Sequence, residues 1–236
     1  MNHVANTQPV CRNCRLSPPM PGEEALPGLE SISKPVRSLK KGEYLFHQGD
    51  YFDSVFLVRA GSLKVVASSE VGLGKITGFY FPTEIFGFSG MDEGRYPVSA
   101  IALEQTLCSR IPFADLELLA QRTPSLMHQL LMIMSHKIRE DQQAKLLLSR
   151  LNSDSRVAAF LLNLSAHFRE RGFSAMRFRL SMSRQEIADF LGLAMETTSR
   201  SFSHLQQMQL VQVEGREIEI LDFTGLCVMA EGELDL

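Results

Sequence analysis

The sequence predicts an α+β protein: an N-terminal β-roll, one long helix and a C-terminal winged helix-turn-helix. Three observations carry that reading. From Leu39 to about Phe113, short apolar runs are broken at regular intervals by glycine. Thr123-Pro124 then opens a segment whose apolar residues recur at spacings of 4 and 3. Residues 181–207 place two short helical patterns around Gly192, and two alternating segments follow them.

Composition sets the outer bounds. At 236 residues the chain is long enough for two ordinary domains. A hydrophobic content of 44% and a charged content of 22% are those of a globular protein. No run of about 18 apolar residues occurs, which argues against a membrane span. The first residues, MNHVANTQPVCRNCR, lack the apolar core of a signal peptide, so a cytoplasmic protein is expected. Four cysteines in such a chain point to thiols or metal ligands rather than to a disulfide frame.

In chain order, residues 1–30 are rich in Pro, with Asn, Ser and Gly among them, and read as a flexible segment. Their one chemical feature is Cys11-Arg12-Asn13-Cys14. Such a pair can ligate zinc or an iron–sulfur cluster, act as a redox dithiol, or remain two reduced thiols. The β-roll is expected over residues 31–122, with strands near 44–46, 54–58, 62–66, 76–81 and 98–103. Thr123 and Pro124 supply the N-cap and first position of a helix over residues 123–150. Met127, Leu131, Met134, Ile138, Asp141, Lys145 and Leu148 form an a/d stripe along it. The stripe serves either packing against the chain's own roll or a seam between two copies.

The C-terminal module is expected over residues 151–223. Ser155 is placed to cap a helix over 156–169. Ser183 and Glu186 form an S-x-x-E capping box, so the next helix begins just after Ser183 and buries Ile187, Phe190 and Leu191. Gly192 breaks it, and a second helix starts at about Met195. There Glu196, Ser199 and Arg200 stand at i, i+3 and i+4, on one face near the end that meets base edges in a helix-turn-helix. A carboxylate accepts from cytosine N4, a guanidinium grips guanine O6 and N7, and a serine hydroxyl serves several bases. Thr197 and Arg184 are further candidates for DNA contact. Segments 210–213 and 218–221 alternate around Glu214-Gly215 as the hairpin of a wing. Residues 224–236 read as an acidic, peripheral tail. Two half-sites require two copies of such a module, which favours the seam and makes 123–150 a dimerisation helix.

Arg179-Leu180-Ser181-Met182-Ser183-Arg184 and Gly192-Leu193-Ala194-Met195-Glu196-Thr197-Thr198-Ser199-Arg200 resemble the DNA-binding segment of the CRP/FNR superfamily of bacterial regulators. The match is closest to the FNR/ANR anaerobic-regulator group and runs from about Leu39 to about Cys227. The resemblance implies a cyclic-nucleotide-binding-like sensor domain, a homodimer, double-stranded DNA and RNA polymerase as partners, and a TTGAT-type half-site read by Glu196, Ser199 and Arg200. It also implies that an acidic residue at Asp141, within the Leu131, Met134 and Ile138 stripe, holds the dimer marginal so that a signal can decide.

The resemblance raises two ligands. The phosphate cassette of the cyclic-nucleotide site pairs Gly-Glu with Arg-Ser; the matching places here hold Thr83-Glu84 and Val98-Ser99. Without the arginine a charge-assisted fork is lost, so no cyclic nucleotide is expected. The FNR group carries a 4Fe–4S cluster on three N-terminal cysteines and one in the sensor domain. Cys11 and Cys14 match the first two, Met20 stands at the third, and Ser109 stands at the fourth with Cys108 beside it. Thioether is a poor substitute for thiolate, so any cluster on Cys11, Cys14 and Cys108 is incomplete.

Charge argues against a strong non-specific grip on DNA. The formal net charge is −3, and residues 151–236 hold 8 Arg, no Lys and 12 Asp plus Glu. Six of those arginines, at 169, 171, 177, 179, 184 and 200, gather before and within the motif. The alternative reading is a ligand- or redox-sensing module without direct DNA reading. No G-x-S-x-G, H-E-x-x-H or Walker loop is present, so no enzyme is expected.

Overall fold

The computed structural model describes residues 26–68, 74–150 and 152–232. The chain divides into two compact units, the first ending at Ile138 and the second beginning at Arg139.

The first unit opens with α1 (Leu29–Ile32) and the short β1 (Lys34–Pro35). Strands β2 (Tyr44–Phe46), β3 (Ser54–Ala60), β4 (Leu63–Ser68), β5 (Gly74–Tyr80), β6 (Ile85–Phe86), β7 (Ser99–Ala102) and β8 (Leu107–Pro112) then form two antiparallel sheets. One has the order β1-β8-β3-β6 and the other β2-β7-β4-β5. Strand β3 is buried on both faces, and its alternation divides the work. Val55 and Leu57 face a core shared with helices, whereas Phe56 and Val58 face a core between the sheets. The intersheet core is strongly aromatic: Phe46 stacks on Tyr96 at 4.0 Å and on Phe56 at 5.4 Å. Gly61, at φ 77°, is obligatory, because a Cβ there would lie 2.4 Å from the Gln105 carbonyl oxygen.

Helices α2 (Phe113–Arg122) and α3 (Pro124–Arg150) complete the helical side. Two boundaries expected from sequence shift. Leu26 and Leu29 are 4% and 1% exposed and join Leu116, Leu126, Leu130 and Ile133 in one cluster, so order begins before residue 30. The same cluster makes the first turns of α3 part of the roll's own core. On the neighbouring face of α3, about 100° round the helix, Met127, Leu131 and Ile138 stay 42%, 57% and 59% exposed. The long helix therefore carries two apolar stripes, one used within the chain and one left to solvent.

The second unit contains α4 (Ser153–Glu170), β9 (Arg177–Arg179), α5 (Arg184–Leu191), α6 (Met195–Gln207), β10 (Val211–Glu214), β11 (Glu217–Ile220) and α7 (Phe223–Glu231). The N-cap of α4 is Asn152, whose side chain accepts from the Ser155 amide at 2.9 Å; Ser155 itself is fully buried. The cap expected of the Ser155 hydroxyl is thus made by Asn152, and Ser155 contributes the donating backbone amide instead. The wing has three strands, ordered β10-β11-β9. Residues 223–231 correct the expected peripheral tail: Asp222 caps a helix that buries Leu226, Cys227, Met229 and Ala230. Each such side chain contributes about 1.5–3 kcal/mol of burial for the larger residues, which outweighs the acidity of the sequence around it.

Candidate nucleic-acid interface

The capping box forms as its spacing requires. Ser183 Oγ accepts from the Glu186 amide at 3.2 Å, and Glu186 Oε2 accepts from the Ser183 amide at 2.7 Å. Gly192, at φ 64°, closes α5 in the left-handed conformation and turns the chain into α6. Inside the pair, Ile187, Leu191, Phe202 and Leu205 are buried. That packing fixes which face of α6 remains outside.

The exposed face carries the residues expected to read bases. Glu196, Ser199, Arg200, Ser203, His204 and Gln207 line one shallow depression. Glu196 and Arg200 are 75% and 77% exposed and pair with each other, Arg200 Nη2 donating to Glu196 Oε1 at 2.5 Å. An exposed i,i+4 pair of this kind adds little stability. Thr197 is half-buried beside them, and the buried Thr198 is turned inward, its hydroxyl donating to the Ala194 carbonyl. Ala194 offers α6 no side-chain cap, so no side chain of the N-cap residue takes up the first amides of this helix.

Arg184 is not a free cation. Its guanidinium lies 3.6 Å from the centre of the Phe202 ring and Nη2 approaches the Gly215 carbonyl at 3.5 Å. Burial, reinforced by the neighbouring Arg216 charge, lowers its pKa from the usual arginine range. It thus ties α5 and the inner side of α6 to the tip of the wing. Arg216 Nη1 donates to the Ser181 carbonyl at 2.9 Å, and Gln206 Oε1 accepts from the Val213 amide at 3.0 Å. Another tie joins α6 to α4: His204 Nδ1 lies 2.7 Å from Asp154 Oδ2. Sequence reasoning missed this contact because its partners are 50 residues apart, beyond any local pattern.

In the roll, the polar residues at the places matching the phosphate cassette are bonded within the chain. Glu84 is 5% exposed and accepts from the Phe81 amide at 2.8 Å, and Ser99 Oγ accepts from the Gln48 amide at 2.9 Å. Val98, at the arginine's place, packs against the intersheet core. Thr83 keeps a φ of 72°, a conformation that is strained for a β-branched residue. Arg95 faces outward, bonded to the Gly49 carbonyl and 4.1 Å from the Tyr51 ring.

Of the four ligand places of an iron–sulfur site, the one at Ser109 lies among the described residues and can be tested. Cys108 is 2% exposed in the intersheet core, where burial pushes its thiol up to about 12. Ser109, one residue on, faces the helical side and accepts from Arg59 Nε at 2.7 Å. The two therefore point to opposite faces of β8, and Cys108 does not fit a ligand place at Ser109. Cys11, Cys14 and Met20 lie outside the described residues. Among the described residues no three His, Cys, Asp or Glu side chains gather as a metal site.

The sequence matches the Cyclic nucleotide-binding domain family over residues 36–123 and the Crp-like helix-turn-helix domain family over residues 155–229. It is 51% identical to the transcriptional activator protein Anr of Pseudomonas protegens, covering 98% of this chain and 96% of that one. Against the anaerobic regulatory protein of Haemophilus influenzae the identity is 38%, over 92% of this chain and 86% of its relative. The chain belongs to the CRP/FNR superfamily, in its FNR/ANR group. That is a family of transcription regulators, not enzymes. The solved structure of FixK2 from Bradyrhizobium japonicum has the same fold, with a TM-score of 0.73 at 26% identity over 83% of this chain and 96% of that one.

Proposed function

We propose that this CRP/FNR member acts in the cytoplasm as a dimeric, sequence-selective regulator that binds a TTGAT-N4-ATCAA-like palindrome. The observation that carries the reading is the face at the N-terminal end of α6 formed by the exposed Glu196 and Arg200 with the half-buried Ser199 between them. Arg200 supplies the fork for guanine and Glu196 the acceptor for cytosine, while Ser199 and Thr197 serve neighbouring positions. The uncapped start of α6 and the exposed Arg177 and Arg179 of β9 supply backbone contacts.

Two copies are needed for two half-sites, and the outer stripe of α3 supports the seam. Leu131 and Ile138 are more than half exposed and Met134 is half-buried. Asp141, on the same stripe, sets a like charge against its counterpart across a two-fold axis and keeps the association weak enough to regulate. The relatives named as transcriptional activators support a bound dimer that recruits RNA polymerase.

The test combines sedimentation with mobility shifts on two duplexes, the palindrome and the same half-sites moved apart by about half a helical turn. One dimer on the intact palindrome and at least tenfold weaker binding to the respaced duplex are expected. Equal affinity for both would sink the dimeric reading.

A further inference from the structure

We infer that Glu30, Arg59 and Ser109 form a metal-free clasp where the FNR group places its sensor-domain cluster ligand, and that operator binding by this chain is consequently indifferent to oxygen. The inference rests on the DNA-reading function proposed above and adds how that function is controlled.

Strand parity fixes the argument. In β8, Ser109 pairs with Leu57 of β3 and shares its helical face, whereas Cys108 pairs with Val58 and shares the intersheet face. Among the described residues the thiol next to the site, Cys108, cannot reach the helical face without a one-residue slip, which would also expel Ile111 from its core. Ser109 is 6% exposed and already engaged. It accepts from Arg59 Nε at 2.7 Å, and Arg59 Nη1 reaches Glu30 Oε1 of α1 at 2.9 Å. A hydroxyl is a hard and weak donor to iron–sulfur clusters. Met20 adds a second non-thiolate position in the same ligand set.

The clasp also has a mechanical consequence. It holds α1 at a point where Leu26 and Leu29 pack with Leu126, Leu130 and Ile133 of the long helix. Residues 26–32 are thus joined to the start of α3 through side chains that contain no redox-active group. Guanidinium, carboxylate and hydroxyl do not change state with oxygen, so the arrangement is the same in air and without it.

The experiment uses the full chain and a Met20→Cys/Ser109→Cys double variant, both purified anaerobically. Iron, acid-labile sulfide, visible absorbance and palindrome affinity are measured before and after air. The wild-type chain is expected to hold background iron and to bind the palindrome with the same affinity, to within about twofold, in both atmospheres. The double variant is expected to take up iron and sulfide toward the four of each in a 4Fe–4S cluster, with absorbance that bleaches in air. Stoichiometric iron in the wild type overturns the inference. So does a folded double variant that takes up none, because Ser109 would then not stand at the ligand place. Failure of the wild type to bind the palindrome in either atmosphere overturns the DNA-reading proposal instead, and the iron content still decides the clasp.

Discussion

The DNA-binding unit and the β-roll have opposite relations between polar side chains and solvent. On α6 the reactive groups stand out from a packed scaffold, and Glu196 and Arg200 satisfy each other only through an exposed pair that a base edge can displace. In the roll, Glu84, Ser99 and Ser109 are buried and each is bonded to a neighbour in the chain. The first arrangement leaves donors and acceptors for a partner; the second consumes them. The roll's cores are built from Val55, Phe56, Leu57 and Val58, so the fold does not depend on its polar side chains meeting a ligand.

That contrast can be broken or sharpened by substitution. Arg200→Ala removes a guanine fork and should cost about 1–3 kcal/mol per half-site in palindrome affinity, with the melting temperature unchanged. A shift in melting temperature with affinity retained would make Arg200 structural. Arg184→Ala should weaken binding by about 1–2 kcal/mol through the lost stacking on Phe202. Because Arg184 acts through α6 and the wing, Arg184→Lys should lose as much, with the salt slope of binding unaltered. A slope that drops by about one per protomer would make Arg184 a phosphate contact.

The roll responds to pH through Cys108. Below the ordinary thiol value of 9.0 it is neutral both folded and unfolded; above it the unfolded thiol ionises while the buried one, pushed up to about 12, stays protonated. Stability should thus fall as pH rises from about 9 toward 12, by about 1 kcal/mol between pH 8 and 10. Tyr96, also pushed up to about 12 by burial, adds to the fall above its ordinary value of 10.0. Denaturant midpoints of wild type and Cys108→Ala at the two pH values check this, the variant giving the shallower slope. The smallest effect is a gain: Thr83→Gly removes strain at φ 72° and should stabilise the chain by up to about 1 kcal/mol. Millimolar cyclic AMP should leave the melting temperature of either form unchanged.

Much of the DNA-binding unit was legible because its signals are local. Ser183 and Glu186 lie three residues apart, Gly192 is where a helix must stop, and Glu196, Ser199 and Arg200 share a face by spacing alone. The parity of Cys108 and Ser109 was legible for the same reason. What escaped depended on distance or on outweighed composition. The tie from His204 to Asp154 joins separate helices, and the stacking of Arg184, a candidate for DNA contact, on Phe202 has no local signal. Helix α7 was hidden by Glu231, Glu233 and Asp235, although Asp222 before Leu226, Met229 and Ala230 was a usable cap-and-stripe signal. On α3 the exposed stripe was visible, while the stripe one residue over, at Leu126, Leu130 and Ile133, carries the packing.

The central claim is that the α6 face reads bases. Its most direct test is a fluorescence-anisotropy titration, in air, of the wild-type chain on the TTGAT-N4-ATCAA duplex and on one with the G·C pair of each half-site inverted. The account predicts a loss of about 1–3 kcal/mol per half-site on inversion, with that difference abolished in Arg200→Ala. Equal affinity of the wild type for both duplexes would contradict it.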